Sequence, residues 1–476
     1  MSDKRIVVSI PTALSFRNVV GSGLMAQLAR DSKPIVAAPV EGKSAFRSTG
    51  IDDSKLWMLQ RPSGSRSHTL LLESLKQAFF NRTRVNTREL LLKFRHRDRR
   101  PSLRRDLRQR AHRLLAPLGR FDRGYAWLQK SEEEAFNRLI ESSFKEGLAR
   151  SGVVAGFSTV IRNESEWLLF RAMQALRIPT LTHILSFDNL TSAGYLPLTQ
   201  FDKFMVWNER MASELLEYYG IQADRVVITG TPQFDFHIDP RFRWDSETTR
   251  SELGMNEGRR PYLLYCANIR IQTPREPELL SHVVELFRRD RVLREFQWVV
   301  RLHPQDDYDR WNSVRNLGVI FSKPWVQGRD GAFFWGAPGS RDIALLTNSI
   351  LHATLVFSIG STIALDCSVL DKPLVNIGFH PDKGSLEDLY YHNAHRSHHY
   401  DVITRSGATP VASNDRELLA FAQEALREPG ARSQARVNLK TEMCGPVDGK
   451  AAARIADEVL SFVRLRLHSA TVSIAS

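Results

Sequence analysis

Apolar positions along this chain follow two periods, and the two alternate over most of its length. Short continuous apolar runs predict buried strands, whereas apolar residues three or four positions apart predict the helices between them. The first run is the strand Arg5–Ile10, and after a loop come the helix "LMAQLARD" and the strand "PIVAAPV". This order is a βαβ unit, which predicts a parallel sheet.

The alternation stops at about residues 62–150 and then returns. Segments rich in arginine and leucine predict helices there: "LLLESLKQAFF", "TRELLLKFRHRDRR", "LRRDLRQRAHRLLAPLGR" and "SEEEAFNRLIESSFKEGL". Strands and helices resume at Val153 and continue to "RVVITG". Turn-forming and aromatic residues then cluster in "TPQFDFHIDPRFRWD", which indicates a hinge between two doubly wound α/β domains near residues 231–258.

A second series of strands and helices fills the rest of the chain. Strands are predicted at Tyr262–Asn268 and "QWVVRLHP", and Leu355–Phe379 has the pattern of a strand, a turn, a helix and a strand. Helices at about 415–427 and 449–466 close the chain. We predict one domain at 1–235 with a helical insertion at about 62–150, a second domain at 236–450, and a closing helix with a tail at 451–476.

Composition limits the class of protein. The chain has 476 residues, and 42% of them are hydrophobic, which is enough for two cores. It contains no uninterrupted apolar run of about eighteen residues, so we predict no transmembrane helix, and the short N-terminal run fits a strand better than a signal peptide. The three cysteines follow no metal-binding spacing, which predicts buried free thiols in a reducing cytosol.

The positive charge is concentrated in one segment. The formal net charge is +13, and Arg82–Arg123 holds fifteen Lys or Arg against four Asp or Glu. Helices that mix leucine with arginine are typical of an anionic membrane surface, although a solvated charged insertion fits the same pattern. Nucleic acid is a third alternative partner. It is disfavoured because the segment lacks both a known nucleic-acid motif and an aromatic platform for bases.

Residues suited to phosphate follow the predicted strands of the second domain. Gly360, Ser361 and Thr362 form a turn between a strand and a helix, which predicts an anion site, and Asp366 lies one turn later where it would accept from a ribose. The alternative is that Ser361 caps the helix and Asp366 pairs with a nearby Lys or Arg.

Two more strand ends carry similar groups. Arg301 and His303 share one side of a strand that stops at Pro304, and Asn268 and Arg270 follow another strand. Arginine and histidine both donate to phosphate oxygens, and the alternative for them is a strand-end ion pair. In the first domain, Arg17, Asn18 and Gly21 lie in the loop after the first strand, at the edge where open α/β sheets bind ligands.

These residues carry a resemblance to a known family. The run from Ser186 to Asp235, "SFDNLTSAGYLPLTQFDKFMVWNERMASELLEYYGIQADRVVITGTPQFD", together with "RLHP" and "SIGSTIALDCSVLDKPLVNIGF", resembles bacterial glycosyltransferases of the GT-B fold. More closely, it resembles surface-carbohydrate and capsule-biosynthesis proteins akin to CDP-glycerol glycerophosphotransferases. The resemblance covers about residues 150–465. It implies two Rossmann-like domains that face each other, with the acceptor bound by the first and the nucleotide donor by the second.

The resemblance also implies roles for the residues above. Ser361 and Thr362 would hold the donor phosphates, Asp366 would reach the ribose or sugar, and Arg301 and His303 would stabilise the leaving nucleotide. Enzymes of this fold usually need no metal or cofactor, so the donor alone, a UDP-, GDP-, CDP- or CMP-sugar, would occupy the site.

A catalytic base is needed if the transfer inverts the sugar. Asp188 is the best candidate, and Asn189, Thr191 and Ser192 beside it would hold the acceptor sugar, although an Asx turn explains Asp188 equally well. Relatives often carry tryptophan in place of Phe187. The histidines of "YHNAHRSHHY" are too irregular for a metal site, and we predict a mobile polar loop there.

The sequence therefore predicts a cytoplasmic glycosyltransferase, peripheral on the inner face of the membrane through basic helices at 82–123. Its partners would be a nucleotide sugar and a surface-polysaccharide or lipid-linked saccharide acceptor, with no nucleic acid. The same residues suit a CDP-polyol phosphotransferase or a nucleotide-sugar 2-epimerase. A non-catalytic protein that binds membrane or nucleic acid is the alternative from another class.

Overall fold

The computed structural model describes residues 4–47, 49–62, 64–87, 90, 114–255, 260–306, 308–322, 324 and 339–475. The chain divides into two compact units. Within the described residues, the first unit holds 4–85, 114–232 and 450–475, and the second holds 86, 87, 90 and 233–449. Each unit contains one parallel sheet. The predicted domain boundaries at 235 and 450 stay predictions.

The sheet of the first unit has seven strands in the order β3-β2-β1-β4-β5-β6-β7. Their bounds are β1 Arg5–Ser9, β2 Lys33–Ala38, β3 Leu56–Met58, β4 Val153–Ser158, β5 Thr180–His183, β6 Lys203–Val206 and β7 Val226–Ile228. All neighbouring pairs are parallel, and the central strands are almost wholly apolar because helices cover both faces. The strand order reverses between β1 and β4.

The second unit repeats this arrangement with six strands in the order β10-β9-β8-β11-β12-β13. Their bounds are β8 Tyr262–Cys266, β9 Gln297–Arg301, β10 Ile320–Ser322, β11 Leu355–Ser358, β12 Leu374–Ile377 and β13 Val411–Ala412. Buried side chains from β8, β9 and β11, among them Leu263, Val300 and Phe357, form the centre of its core. Here the order reverses between β8 and β11, so both predicted doubly wound sheets are present.

Helices connect the strands of each unit. In the first unit they are Ala13–Phe16, Leu24–Leu28, Lys43–Arg47, Arg66–Thr83, Asp122–Asn137, Ser142–Arg150, Glu164–Ala175, Asn189–Ser192, Glu209–Tyr219 and Ala451–Ala475. Pro232–Asp235 starts at the end of that unit. In the second unit they are Ser246–Glu252, Glu276–Arg288, Asn312–Arg315, Ser340–Leu351, Ile363–Val369, Leu386–Ala394, His398–Arg405, Asp415–Arg427 and Ser433–Cys444. None of the helices in the described ranges is long and apolar enough to cross a bilayer.

Three local predictions were wrong. The expected loop after β1 is the short helix Ala13–Phe16 followed by the π-helix Arg17–Gly21. The helix predicted over "SEEEAFNRLIESSFKEGL" is two helices, because residues 138–141 leave the helical path. The expected polar loop "YHNAHRSHHY" lies mainly in helices Leu386–Ala394 and His398–Arg405, where Tyr391 and Tyr400 are buried and supply the apolar face.

The helical insertion is fixed to the first unit by a buried ionic cluster. Glu132 accepts from Arg171 at 2.8 Å and lies 2.9 Å from His68 Nε2, which joins three helices. The first predicted insertion helix is confirmed as Arg66–Thr83. Of the basic helices predicted at 82–123, residues 91–113 lie outside the described residues. All three cysteines are buried and free, as predicted.

Candidate functional site

The carboxyl ends of β8 and β11 meet where the second sheet reverses, which is the position where open parallel sheets bind ligands. Asn268 follows β8, and its Nδ2 donates to the carbonyl oxygen of Ile359 after β11 at 2.9 Å. Asn268 thus joins the two strand ends. Arg270 lies two residues further on and is exposed. The structure places both residues at the predicted edge.

Neighbouring side chains fix the backbone of the turn at Gly360. Gly360 has φ +65°, a conformation that favours glycine, and an added Cβ would lie 3.3 Å from Cε1 of His395. Oδ1 of Asn376 accepts from the Ser358 hydroxyl at 3.0 Å and from the Tyr400 hydroxyl at 3.1 Å, and the backbone N–H of Gly360 points to it at 3.4 Å. The backbone of the turn is therefore set before any ligand arrives.

The two hydroxyl residues of this turn differ in exposure. Ser361 is half-buried, and its Oγ accepts from the backbone N–H of Ile363 at 3.4 Å, whereas Thr362 is exposed and makes no side-chain capping bond. Part of the predicted alternative for Ser361, a local cap, is thus present. The helix that follows has only seven residues.

Arg301 ends β9 and places a guanidinium in the interior. Its side chain is 9% exposed, and its Nη2 lies 3.7 Å from Oδ1 of Asp342. Within the described ranges, its Nη1 is buried and has no hydrogen-bond partner. Burying an incompletely paired cation is costly, so an anionic ligand that reached Nη1 would relieve that cost.

His303 follows two residues later as a neutral ring. The backbone N–H of Gln305 donates to its Nδ1 at 3.1 Å, which assigns the proton of the neutral imidazole to Nε2. Burial lowers the pKa of His303 to about 4, and the charge of Arg310 acts in the same direction. Near neutral pH, Nε2–H is therefore a donor without a positive charge.

Asp366 has a protein partner that the sequence did not reveal. It is buried, and its Oδ1 lies 2.6 Å from Nε2 of His237, whose Nδ1 is 3.0 Å from the hydroxyl of Thr347. The predicted alternative named a lysine or arginine as its partner. No local pattern joins His237 to Asp366, because they are 129 residues apart. A ribose contact for Asp366 stays a prediction.

A second ionic cluster, also missed from sequence, lies beneath the loop that carries Asn268. The fully buried Glu276 accepts from the backbone N–H of Asn268 at 3.0 Å, from the Tyr265 hydroxyl at 3.0 Å and from Arg310 at 2.9 Å. Arg310 also pairs with Asp306 at 2.8 Å. Burial raises the pKa of Glu276 to about 7, and Arg310 opposes that rise. The cluster fixes the end of β8 from below.

In the first unit, the segment after β1 leads into the π-helix that carries Arg17 and Asn18. The π-helix buries Arg17 and Asn18, and Oδ1 of Asn18 accepts from Nε of Arg17 at 3.3 Å. Nδ2 of Asn18 is buried and has no partner among the residues that the structure describes. Asn18, Thr159 and His183 line one small cavity, and Gly21 closes the π-helix. Short π-helical segments of this kind are frequent at functional sites.

His183 is a further candidate that sequence reasoning missed. It ends β5, and its Nε2 donates to the carbonyl oxygen of Gly230 at 3.0 Å, which leaves the lone pair on Nδ1. Burial lowers the pKa of His183 to about 4, so the ring is neutral at pH 7. The available signal was a histidine inside the predicted strand "PTLTHIL".

Side-chain donors of neighbouring residues surround the carboxylate of Asp188, and its role as a base stays a prediction. Its Oδ1 accepts from the Ser186 hydroxyl at 2.5 Å and from Nδ2 of Asn189 at 3.4 Å, and its Oδ2 accepts from the Ser192 hydroxyl at 2.7 Å. The hydroxyl of buried Thr191 points to the backbone oxygen of Asp188 at 3.4 Å.

Known proteins relate to this chain through structure alone. No protein-family model matches it, and no curated protein matches its sequence.

Among the residues that the structure describes, no group of three His, Cys, Asp or Glu is placed to hold a metal.

Solved structures match almost the whole chain. A UDP-GlcNAc 2-epimerase from Neisseria meningitidis bound to UDP-GlcNAc has TM-score 0.53 and 10% identity, covering 96% of this chain and 100% of its own. A UDP-N-acetylglucosamine 2-epimerase from Listeria monocytogenes, described as putative in its own report, has TM-score 0.55 and 9% identity, covering 97% of each chain. The chain has the GT-B fold. A UDP-GlcNAc 2-epimerase from Methanocaldococcus jannaschii agrees, with TM-score 0.53, 11% identity and coverage of 97% and 99%.

Proposed function

We propose that the protein is a glycosyltransferase that moves a sugar from a nucleotide-sugar donor to a surface-polysaccharide or lipid-linked saccharide acceptor. The observation that carries this proposal is the buried, incompletely paired guanidinium of Arg301 at the carboxyl end of β9, the strand next to β8 in the second sheet. A nucleotide diphosphate supplies the anion that such a group lacks. The GT-B fold and the likeness to capsule-biosynthesis proteins akin to CDP-glycerol glycerophosphotransferases support the same class.

In this proposal, the second unit binds the donor. Arg301 and the Nε2–H of His303 take up the charge that develops on the leaving phosphate, so the reaction proceeds without a metal. Gly360, Ser361 and Thr362 hold the phosphates through backbone N–H groups and hydroxyls. The remaining donor contacts are assigned to Asn268, Arg270 and Asp366.

The first unit binds the acceptor and supplies the base. Arg17, Asn18 and Gly21 hold the acceptor at one end of the edge, and Asn189, Thr191 and Ser192 hold it at the other. Asp188 takes the proton from the acceptor hydroxyl. His183 is the second candidate base, because its neutral ring is oriented by Gly230 and keeps a lone pair on Nδ1.

The basic segment 82–123 determines where the enzyme works. Its excess of eleven positive charges attracts the anionic inner face of the cytoplasmic membrane, where a lipid-linked acceptor would be found. We propose a cytoplasmic enzyme that is peripheral on that surface.

A 2-epimerase is the second candidate function. It is favoured by one observation: the three solved structures above are all named as UDP-GlcNAc 2-epimerases. An epimerase needs no acceptor, so incubation with a nucleotide sugar alone separates the two functions. A CDP-polyol phosphotransferase is distinguished by its product, which is a phosphodiester instead of a glycosidic bond.

The first experiment is thermal unfolding of the purified protein with UDP, GDP, CDP, CMP and their sugar conjugates. We expect a rise in Tm with one base, and we expect Arg301→Ala and Ser361→Ala to abolish it. Arg294→Ala is the matched control, because Arg294 is an exposed arginine at the opposite end of β9. A shift retained by Arg301→Ala, or no shift with any nucleotide, would contradict the proposed donor site.

Turnover then separates the chemical alternatives. With the stabilising nucleotide sugar and a membrane extract as acceptor source, we expect transfer, and Asp188→Asn should lower kcat far more than KM if Asp188 is the base. Epimer formed without acceptor would favour the second function. Steeply salt-dependent nucleic-acid binding with no turnover would favour the non-catalytic alternative.

A further inference from the structure

Large apolar side chains are exposed along one short stretch of the helical insertion. Leu114, Leu118, Phe121 and Trp127 are 78%, 42%, 72% and 51% exposed. Phe121 and Trp127 are the two exposed Phe or Trp side chains in the described part of the chain. Clustered exposed apolar groups of this kind mark interaction surfaces.

The fold explains why these side chains point outward. The turn Ala116–Arg120 places Ala116 and Gly119 inward, and an added Cβ on Gly119 would collide with Ala78 of helix Arg66–Thr83. Arg82 donates from Nη1 to the carbonyl oxygen of Gly119 at 3.1 Å. Because the inner side of the turn is fixed in this way, Leu118 lies on its outer side, where it is 42% exposed.

The exposed rings lie beside positive charge. Arg123, Trp127 and Lys130 are spaced i, i+4 and i+7 on helix Asp122–Asn137, so they share one face, and all three are exposed. The acid at the start of that helix, Asp122, pairs with Arg82 at 2.6 Å. The first half of the helix therefore presents an aromatic ring between two cations.

We propose that residues 114–130 form a membrane-docking wedge that seats Phe121 and Trp127 in the headgroup region of an anionic bilayer. Aromatic rings with flanking Arg and Lys are favoured at that interface, and Leu114 and Leu118 gain by entering the acyl boundary. The excess of eleven positive charges over Arg82–Arg123 complements anionic lipid. The aliphatic side chains of Leu114 and Leu118 favour a bilayer as the partner over single-stranded nucleic acid, because nucleic-acid bases stack on aromatic rings. The inference builds on the proposed function, whose acceptor is lipid-linked.

The test is co-sedimentation of the full-length protein with vesicles of neutral phosphatidylcholine or of phosphatidylcholine with phosphatidylglycerol. We expect binding to the anionic vesicles and a loss of about tenfold in affinity for the double variant Phe121→Ser, Trp127→Ser. The matched control is Val292→Ser, Val437→Ser, which removes two exposed apolar side chains from the second unit and should bind like the wild type. Arg123→Glu, Lys130→Glu should also weaken binding, and more so at low salt.

Two results would overturn the wedge. One is anionic-vesicle binding that the aromatic variant leaves unchanged, and the other is no binding by the wild type. Single-stranded nucleic-acid binding that is lost in the same variant would replace the bilayer with nucleic acid as partner. Each variant is also tested for its nucleotide-induced Tm shift. A wild-type protein that shows this shift but does not bind vesicles would lose the wedge and keep the proposed donor site.

Discussion

Glu166 in the first unit and Glu276 in the second perform the same local task in different surroundings. Each lies in the first turn of a helix that follows a strand beside the reversal point, β4 or β8. Each is fully buried and reaches back to the backbone of the strand end. Glu166 accepts from the N–H of Thr159 at 3.1 Å, and Glu276 accepts from the N–H of Asn268 at 3.0 Å. Each glutamate thus fixes the loop at the carboxyl end of its strand.

The two carboxyl groups differ in how their charge is met. Glu276 has Arg310 as a counterion at 2.9 Å, whereas Glu166 has no ion pair among the described residues and lies near the hydroxyls of Ser9 and Ser158. Burial raises the pKa of Glu166 to about 8 and that of Glu276 to about 7. Arg310 stabilises the carboxyl group of Glu276, whereas the carboxyl group of Glu166 is stabilised by keeping its proton.

The largest effect is expected from removing the cation. Arg310→Met leaves Glu276 and Asp306 buried without their counterion, which should lower the free energy of unfolding by about 3–5 kcal/mol at pH 8. Urea unfolding followed by tryptophan fluorescence measures this free energy. Trp311 reports on the cluster, since its indole N–H donates to Asp306 at 2.9 Å. The cost should shrink at pH 5, where the carboxyl group of Glu276 takes up a proton. An equal cost at both pH values would show that lost packing, not charge, dominates.

A smaller effect is expected from Glu276→Gln. Its amide oxygen can still accept from the N–H of Asn268, and Arg310 keeps Asp306 at 2.8 Å, so the loss is one charged partner. We expect a cost of about 1–3 kcal/mol in the same unfolding assay. If Glu276→Gln were as costly as Arg310→Met, the carboxylate of Glu276 and not the arginine would be the centre of the cluster.

The smallest cost in stability is expected from Glu166→Gln, whose effect depends on pH and has the opposite sign. The folded protein keeps a proton on Glu166 up to about pH 8, whereas the unfolded chain releases it near the ordinary pKa of a glutamate, about 4.3. In that window the folded state binds more protons, so the free energy of unfolding falls as pH rises. Glutamine cannot ionise and should remove that fall. We expect the variant to match the wild type at pH 5 and to exceed it by up to about 4 kcal/mol at pH 8, because each pH unit in this window is worth about 1.4 kcal/mol.

Thermal unfolding of Glu166→Gln and the wild type across pH 5–8.5 provides the measurement. The difference between the two proteins isolates Glu166 from the other titrating groups. A wild type that gained stability relative to the variant as pH rose would mean that Glu166 is ionised when folded, and the contrast with Glu276 would disappear.

The strands were predictable because both sheets are buried on both faces. Runs such as Arg5–Ile10 and Tyr262–Asn268 are continuous and apolar, so their type and order could be read without tertiary information. The short edge strand Val411–Ala412 gave no such pattern. Residues 138–141 also look helical in sequence, because helix propensity does not reveal where tertiary packing turns the chain.

The residues of the candidate site also fall into two groups, those that the sequence could predict and those that only the fold reveals. Arg301 and Gly360 could be picked out because a polar or small residue stands at or just after the end of an apolar strand, and Asn18 because it lies between the first strand and the next predicted helix. The partners of those residues could not. Asn376 sits in the interior of β12, and His237 lies in the predicted hinge, so only the fold brings them to Gly360 and Asp366.

The burial of the three native cysteines makes the protein ready for site-directed probes. Burial raises the pKa of the Cys266 thiol to about 12 and raises the pKa of Cys367 and Cys444 as well, which keeps all three as unreactive thiols. A single cysteine introduced at an exposed position such as Thr362 or Lys130 would then be the one thiol that a maleimide dye labels in the folded chain. Fluorescence from that position could follow nucleotide or vesicle binding with the native cysteines in place.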